Sequence, residues 1–179
     1  MARSTSAIAG QAAYNWGGAA LFAAAAVIMM ALGFEYLGGY EPCQLCLQQR
    51  YAYYVGIPVL FIALMLIGLE LHKAATVLFF LIGMAFLANA GFGVYHAGVE
   101  WNFWDGPATC DAGALKPLAT GGKGVLNSLS EPPSGPSCGV ATWRLLGLSF
   151  AGWNAVVCVA LTIACIKAAF ASSEANAAG

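Results

Sequence analysis

The stretch AATVLFFLIGMAFLANAGFGVY, Ala74 to Tyr95, runs for 22 residues without a charged side chain. A helix needs about 20 apolar residues to cross the hydrocarbon core of a bilayer. A segment in lipid must also satisfy its own backbone hydrogen bonds, which makes a helix the expected form. Three more stretches of the same kind flank it, at Trp16–Tyr36, Tyr51–Leu69 and Trp143–Ile166. A single central Lys, Arg or Asp would cost about 2.5–3.5 kcal/mol on insertion, and their middles carry few or no charges. The chain therefore reads as an all-α integral membrane protein, a four-helix bundle forming one domain over residues 1–179. Pro58 is a candidate kink in the second span.

Composition agrees. The chain is 60% hydrophobic and 8% charged, whereas a soluble domain carries about 25% charged residues. So few charges cannot coat a surface that faces water. A net charge of −1 offers no basic footprint for nucleic acid. The first apolar run is longer than the 7–15 residues of a signal-peptide core and no A-x-A site follows it, so it is read as a retained span.

The connections are unequal. A short loop covers residues 37–50, Glu70-Leu71-His72-Lys73 makes a tight turn, and a long loop rich in Gly, Pro, Ser and Thr covers 96–142. With four spans, both termini share a side with the tight turn, and the two loops share the other. Basic residues do not orient the bundle. Arg3, Lys73 and Lys167 lie on the terminal side, against Arg50, Lys116, Lys123 and Arg144 on the loop side. Glu41, Glu100, Asp105, Asp111 and Glu131 crowd the loop side, but acids contribute little to the positive-inside rule.

Cysteines orient it instead. Of six, Cys43, Cys46, Cys110 and Cys138 fall in the two loops, and Cys158 and Cys165 fall in the last span. Disulfides persist in oxidising compartments, which places the loops outside the cytoplasm.

Tyr40-Glu41-Pro42-Cys43-Gln44-Leu45-Cys46-Leu47-Gln48-Gln49-Arg50 carries the chemistry. Two residues between the cysteines bring both sulfurs to the start of a helix, where a disulfide can close and a thiolate is stabilised. The alternative is half of a metal site, which needs a second close pair or nearby histidines. Cys110 and Cys138 stand 28 positions apart, unlike the spacing of zinc ribbons. Arg50 lies on the Cys46 face at i, i+4. It reads equally as a cation that lowers a thiolate pKa or holds an anionic reduced cofactor, and as an arginine snorkelling at the membrane edge.

Cys110 and Cys138 read as a structural staple of the outer loop or as a mobile exchange pair. The Gly-rich run Thr120–Gly124 and the Pro-rich run Glu131–Pro136 favour the mobile reading. On position alone, His96 is an interfacial residue beside Trp101 and Trp104, or a proton donor to a bound ring. Asn89 reads as interhelical glue, and Cys158 and Cys165 as small apolar residues. There is no G-x-G-x-x-G and no C-x-x-C-H.

Taken together, Glu-Pro-Cys-x-x-Cys in a short first loop, an Arg four residues later, a cysteine pair in a long second loop and Tyr-His-x-Gly-Val-Glu at Tyr95–Glu100 resemble the bacterial DsbB family. These are inner-membrane disulfide bond formation proteins. The resemblance covers roughly Trp16 to Ile166 and departs in the second loop. It implies a quinone-dependent thiol:disulfide oxidoreductase with the cysteine loops in the periplasm and both termini in the cytoplasm. Cys43 and Cys46 would be the quinone-facing pair, with Cys46 beside the ring of a ubiquinone or menaquinone. Arg50 and His96 would help bind that quinone. Cys110 and Cys138 would oxidise a DsbA-like periplasmic thiol oxidase, with Cys110 forming the mixed disulfide. The related vitamin K epoxide reductases carry their cysteine pairs in the reverse order. Two readings of another class remain: a metal-binding membrane protein using the loop cysteines, and a non-catalytic protein with two structural disulfides.

Overall fold

The structure, a computed structural model, describes residues 2–107, 138–139, 141 and 143–178. Four long helices account for most of them: α1 (Ala2–Tyr36), α2 (Gln44–Gly68), α3 (His72–Glu100) and α4 (Phe150–Ala178). All four are long and apolar enough to cross a membrane. The shortest, α2, has 25 residues, or about 37 Å at 1.5 Å per residue, against a hydrocarbon core of about 30 Å. The chain is an all-α integral membrane bundle.

The helices close a ring in which α1 packs on α2 and α4, and α3 packs on α2 and α4. Small residues let the backbones approach, as in other membrane bundles. Ala13, Ala20 and Ala24 of α1, and Cys165, Ala168, Ser172 and Ala175 of α4, are fully or almost fully buried. A Cβ on Gly17 would come within 2.6 Å of the Phe79 ring, so α1 has room there only for hydrogen. Phe79, Phe86 and Leu60 fill the centre. Phe22, Met29, Phe61 and Phe80 point outward, and so large an apolar exterior is a surface for lipid.

Each helix runs past its apolar stretch, because main-chain bonding continues until a residue leaves helical geometry. Two helices end where the chain turns left-handed. Beyond α2, Glu70 has φ 60°. Its N–H reaches Ile67 O at 3.0 Å, and Leu71 N–H reaches Leu66 O at 2.9 Å, the paired bonds of a Schellman end. Beyond α3, Asn102 has φ 58° with the same pair of bonds, to Val99 O and Gly98 O. The turn between α2 and α3 is thus shorter than Glu70–Lys73, and α3 carries His96 and Glu100 on its last turn instead of releasing them into the loop.

The fourth span starts later than its apolar stretch. Residues 143–149 are not helical. Arg144–Leu145 (β1) pairs antiparallel with Leu148–Ser149 (β2). Leu146 and Gly147 have φ 53° and 84°, and positive φ at both central positions is what a two-residue hairpin turn demands. Ser149 Oγ then accepts from Gly152 N–H at 3.2 Å, capping the start of α4.

Candidate active site

Cys43, the N-cap of α2, has extended backbone, and its sulfur accepts from Cys46 N–H at 3.3 Å. That fold of the first turn brings the two sulfurs to 2.9 Å. Both are free thiols. His96 arrives from the last turn of α3. It is 1% exposed, and its Nε2 lies 3.6 Å from Cys43 Sγ. The position-only reading of His96 as an interfacial residue therefore gives way to a buried contact with sulfur. Its Nδ1 meets Gln49 Nε2 at 3.1 Å, and Glu100 Oε1 stands 3.9 Å from Nε2.

These partners decide the state of Cys43, which lies just ahead of the span. The Cys46 hydrogen bond, helped by those from His96 and the Cys46 main chain, outweighs burial and holds the Cys43 thiol down at about 4. Thiolate is the reactive form, so the first cysteine is poised for exchange.

Arg50 is placed differently from the cysteine-activating reading. Its guanidinium is paired with Glu35 of α1, with side chains 12% and 22% exposed. Arg50, Glu35, Gln49 and His96 nevertheless border one cavity of about 410 Å³ with both thiols. Phe34, Phe150 and Trp153 add apolar walls. Binding pockets for small molecules run to about 300–1,000 Å³ and combine apolar walls with a few polar groups.

The second pair is represented by Cys138, which is disulfide-bonded and 1% exposed. Cys110, and with it the pairing the resemblance implies, lies outside the described residues. Cys138 is buried in one cluster with Cys43 and Leu45, and Cys46 and Phe92 pack against it. The oxidised loop cysteine and the dithiol thus share a single packed site. Cys158 and Cys165 are buried deeper, at the core of the bundle.

Sequence reasoning left out four contributors. Gln49 and Asn154 were hidden as ordinary polar residues near helix ends, Glu35 as the last acid of an apolar run, and Glu100 as loop charge. Cys43 Sγ, Cys46 Sγ and a His96 nitrogen lie within 4.8 Å of one another, so the reduced pair and the histidine offer three donors to a soft cation.

A buried dithiol with a low-pKa cysteine, packed on a disulfide at one end of four spans, defines an integral membrane protein for thiol–disulfide chemistry. The family described as disulfide bond formation protein DsbB matches residues 14–168, and the chain belongs to it. The chain is similar to disulfide bond formation protein B of Paracidovorax citrulli (strain AAC00-1), with 27% identity over 157 residues, 80% of this chain and 81% of that protein. No solved structure matches. The protein is a multi-pass membrane disulfide oxidoreductase.

Proposed function

We propose that this oxidoreductase reoxidises a DsbA-like periplasmic dithiol partner and delivers the electrons to a membrane quinone, from the inner membrane with its cysteine loops in the periplasm and both termini in the cytoplasm. The observation that carries the reading is the burial of Cys138 against Cys43. Two pairs that exchange must meet, and Cys138 is packed against Cys43 and Cys46.

The steps follow from thiolate exchange. A partner thiolate attacks Cys110 of the Cys110–Cys138 disulfide, and Cys138 leaves. The partner's second thiol then displaces Cys110, so the partner departs oxidised and the loop pair is a dithiol. Cys138 next opens the Cys43–Cys46 disulfide, and Cys110 resolves the mixed disulfide. The loop pair closes and the electrons rest on Cys43 and Cys46. His96 and the first turn of α2 carry the negative charge on Cys43 whenever that disulfide is open.

A terminal acceptor of high potential is required. A DsbA-type partner sits near about −120 mV, while ordinary structural disulfides lie below about −300 mV and cannot oxidise it. The cavity suits a ring with an apolar tail, since apolar walls meet Gln49, Arg50 and His96 at the thiol end. Those three residues and Cys46 would hold such a quinone, which supplies a two-electron, two-proton sink. Glu35 tempers the charge of Arg50, so the cation orients a ring without demanding an anion.

The test adds a reduced thioredoxin-like periplasmic partner and a soluble ubiquinone to the oxidised protein in detergent and follows quinone absorbance. Loss of absorbance that needs the partner and disappears in Cys43→Ser and Cys110→Ser supports the reading. Inert loop cysteines would overturn it. Stoichiometric zinc on free thiols would bring the three-donor metal site forward.

A further inference from the structure

A line of polar side chains leads from the dithiol into the bundle. Gln49 and Tyr53 of α2, Asn154 and Cys158 of α4, and Asn89 and His96 of α3 each repeat at intervals of four or seven, so each pair occupies one face of its helix. The three faces meet. Tyr53 OH donates to Asn154 Oδ1 at 2.6 Å, Asn154 Nδ2 to Gln49 Oε1 at 3.0 Å, and Gln49 Nε2 contacts His96 Nδ1 at 3.1 Å.

The contacts at both ends favour one direction for this line. At the deep end, Asn89 Nδ2 reaches the Gln49 main-chain oxygen at 3.2 Å. A carbonyl oxygen only accepts, so the Asn89 amide is oriented. Its Nδ2 also donates to Cys158 Sγ at 3.3 Å, which leaves the Cys158 hydrogen for Tyr53 at 3.3 Å or Asn154 at 3.6 Å. Tyr53 then donates onward. At the shallow end, His96 Nε2 faces Cys43 Sγ and Glu100 Oε1. Both are acceptors when ionised. A proton on Nε2 serves that end, and a lone pair on Nδ1 serves the Gln49 amide.

We propose that Gln49 and Asn154 are positioning residues that hold neutral His96 in the Nε2–H tautomer, aiming its one proton at the Cys43 sulfur. Neither touches a sulfur of the dithiol in any hydrogen bond of the site; they act through the ring. Asn154 holds the Gln49 oxygen, so the Gln49 NH₂ must turn to His96. His96 then keeps a proton for the charge that appears on Cys43 when its disulfide opens. The chemistry of histidine selects this arrangement, because the group on one nitrogen sets the proton on the other. Among the described residues, the other titratable or charged groups facing the ring are Cys46 of α2 and Glu100 of α3, with Arg144 of β1 opposite Glu100.

This inference rests on Cys43 as an exchanging cysteine, but its first readout needs neither quinone nor partner. The chain has two histidines, so ¹⁵N-histidine labelling of the reduced protein in detergent gives a readable spectrum with His72 as internal control. The expected result is a protonated Nε2 and a bare Nδ1 on His96. Gln49→Met and Asn154→Leu should convert His96 to a tautomer mixture. They should also shift the midpoint of the Cys43 alkylation profile to higher pH, unit for unit with the rise in its pKa. Gln49→Glu places an acceptor at Nδ1, so His96 should carry a proton there as well as on Nε2, and Cys43 should keep its reactivity. Nδ1–H in the wild type overturns the proposal even if a variant fails to fold. So does a folded Gln49→Met whose tautomer and alkylation profile match the wild type.

Discussion

His96 Nε2 lies 3.6 Å from Cys43 Sγ although 53 positions separate them. The last turn of α3 delivers the ring to the N-cap of α2, and the thiol ahead of the span is held far below its ordinary range. For an acid with a lowered pKa, the thiolate persists as pH falls and disappears only near the lowered value, here about 4. An ordinary thiol has lost most of its thiolate by pH 7. Alkylation of Cys43 by a small reagent should therefore stay nearly level from pH 8 to pH 6 and fall only below about pH 5. His96→Ala should move that fall to higher pH and leave the pH 9 rate within a few-fold. Mass-spectrometric quantitation of the Cys43 peptide in Cys46→Ala provides a control without the second thiol, whose own hydrogen bond is the largest contributor.

Arg50 and Glu35 form an ion pair across α1 and α2 at the edge of the cavity. Removing one partner leaves a largely buried charge uncompensated, which costs about 3–5 kcal/mol for a fully buried pair and less here, where 12% and 22% of the side chains remain exposed. Arg50→Gln and Glu35→Gln should each lower the unfolding temperature in detergent. The double variant should recover most of that loss. Quinone affinity should fall in both variants that lack Arg50, including the recovered one, which separates a binding role from a structural one.

Gly98 sits beneath Trp104. A Cβ there would meet Trp104 Cζ2 at 2.0 Å, in the ring whose Nε1 donates to Tyr95 O at 2.9 Å. Gly98→Ala must displace that indole, and overpacking of this kind costs about 1–3 kcal/mol. Tryptophan emission should shift to the red and thermal stability should drop. Trp104→Ala introduced beside it should relieve most of the clash.

Cys165 is fully buried, with its Cβ 3.2 Å from the position a Gly83 Cβ would take. Cys165→Ala should cost about 1 kcal/mol through a small cavity. Its turnover with partner and quinone should stay within twofold of wild type. Loss of turnover comparable to Cys43→Ser would assign Cys165 a part in the electron path.

The four spans were legible because lipid imposes one length and one polarity on a crossing segment, and Ala74–Tyr95 meets both. The helix ends were not. Glu70 and Asn102 adopt left-handed backbone without the glycine that usually marks such an end, and Gly147 with Leu146 makes a hairpin inside an apolar run. Within the site, Cys43 and Cys46 declared themselves through spacing. On position His96 stayed ambiguous and only the resemblance singled it out, since burial against sulfur depends on how α3 meets α2, which no local pattern encodes. The Glu35 partner of Arg50 was hidden for the same reason, because an ion pair between helices has no sequence interval. Gln49 and Asn154 become visible only when three helix faces are brought together.

The central claim is that the two cysteine pairs exchange with each other, and Cys138 buried against Cys43 makes it directly testable. The measurement is peptide mass spectrometry on a Cys46→Ser/Cys110→Ser double variant, purified from membranes without reductant. With their own partners removed, Cys43 and Cys138 should be joined in one disulfide in most molecules, while Cys158 and Cys165 remain thiols. Cys43 and Cys138 recovered as free thiols, or each oxidised with a different partner, would contradict the account.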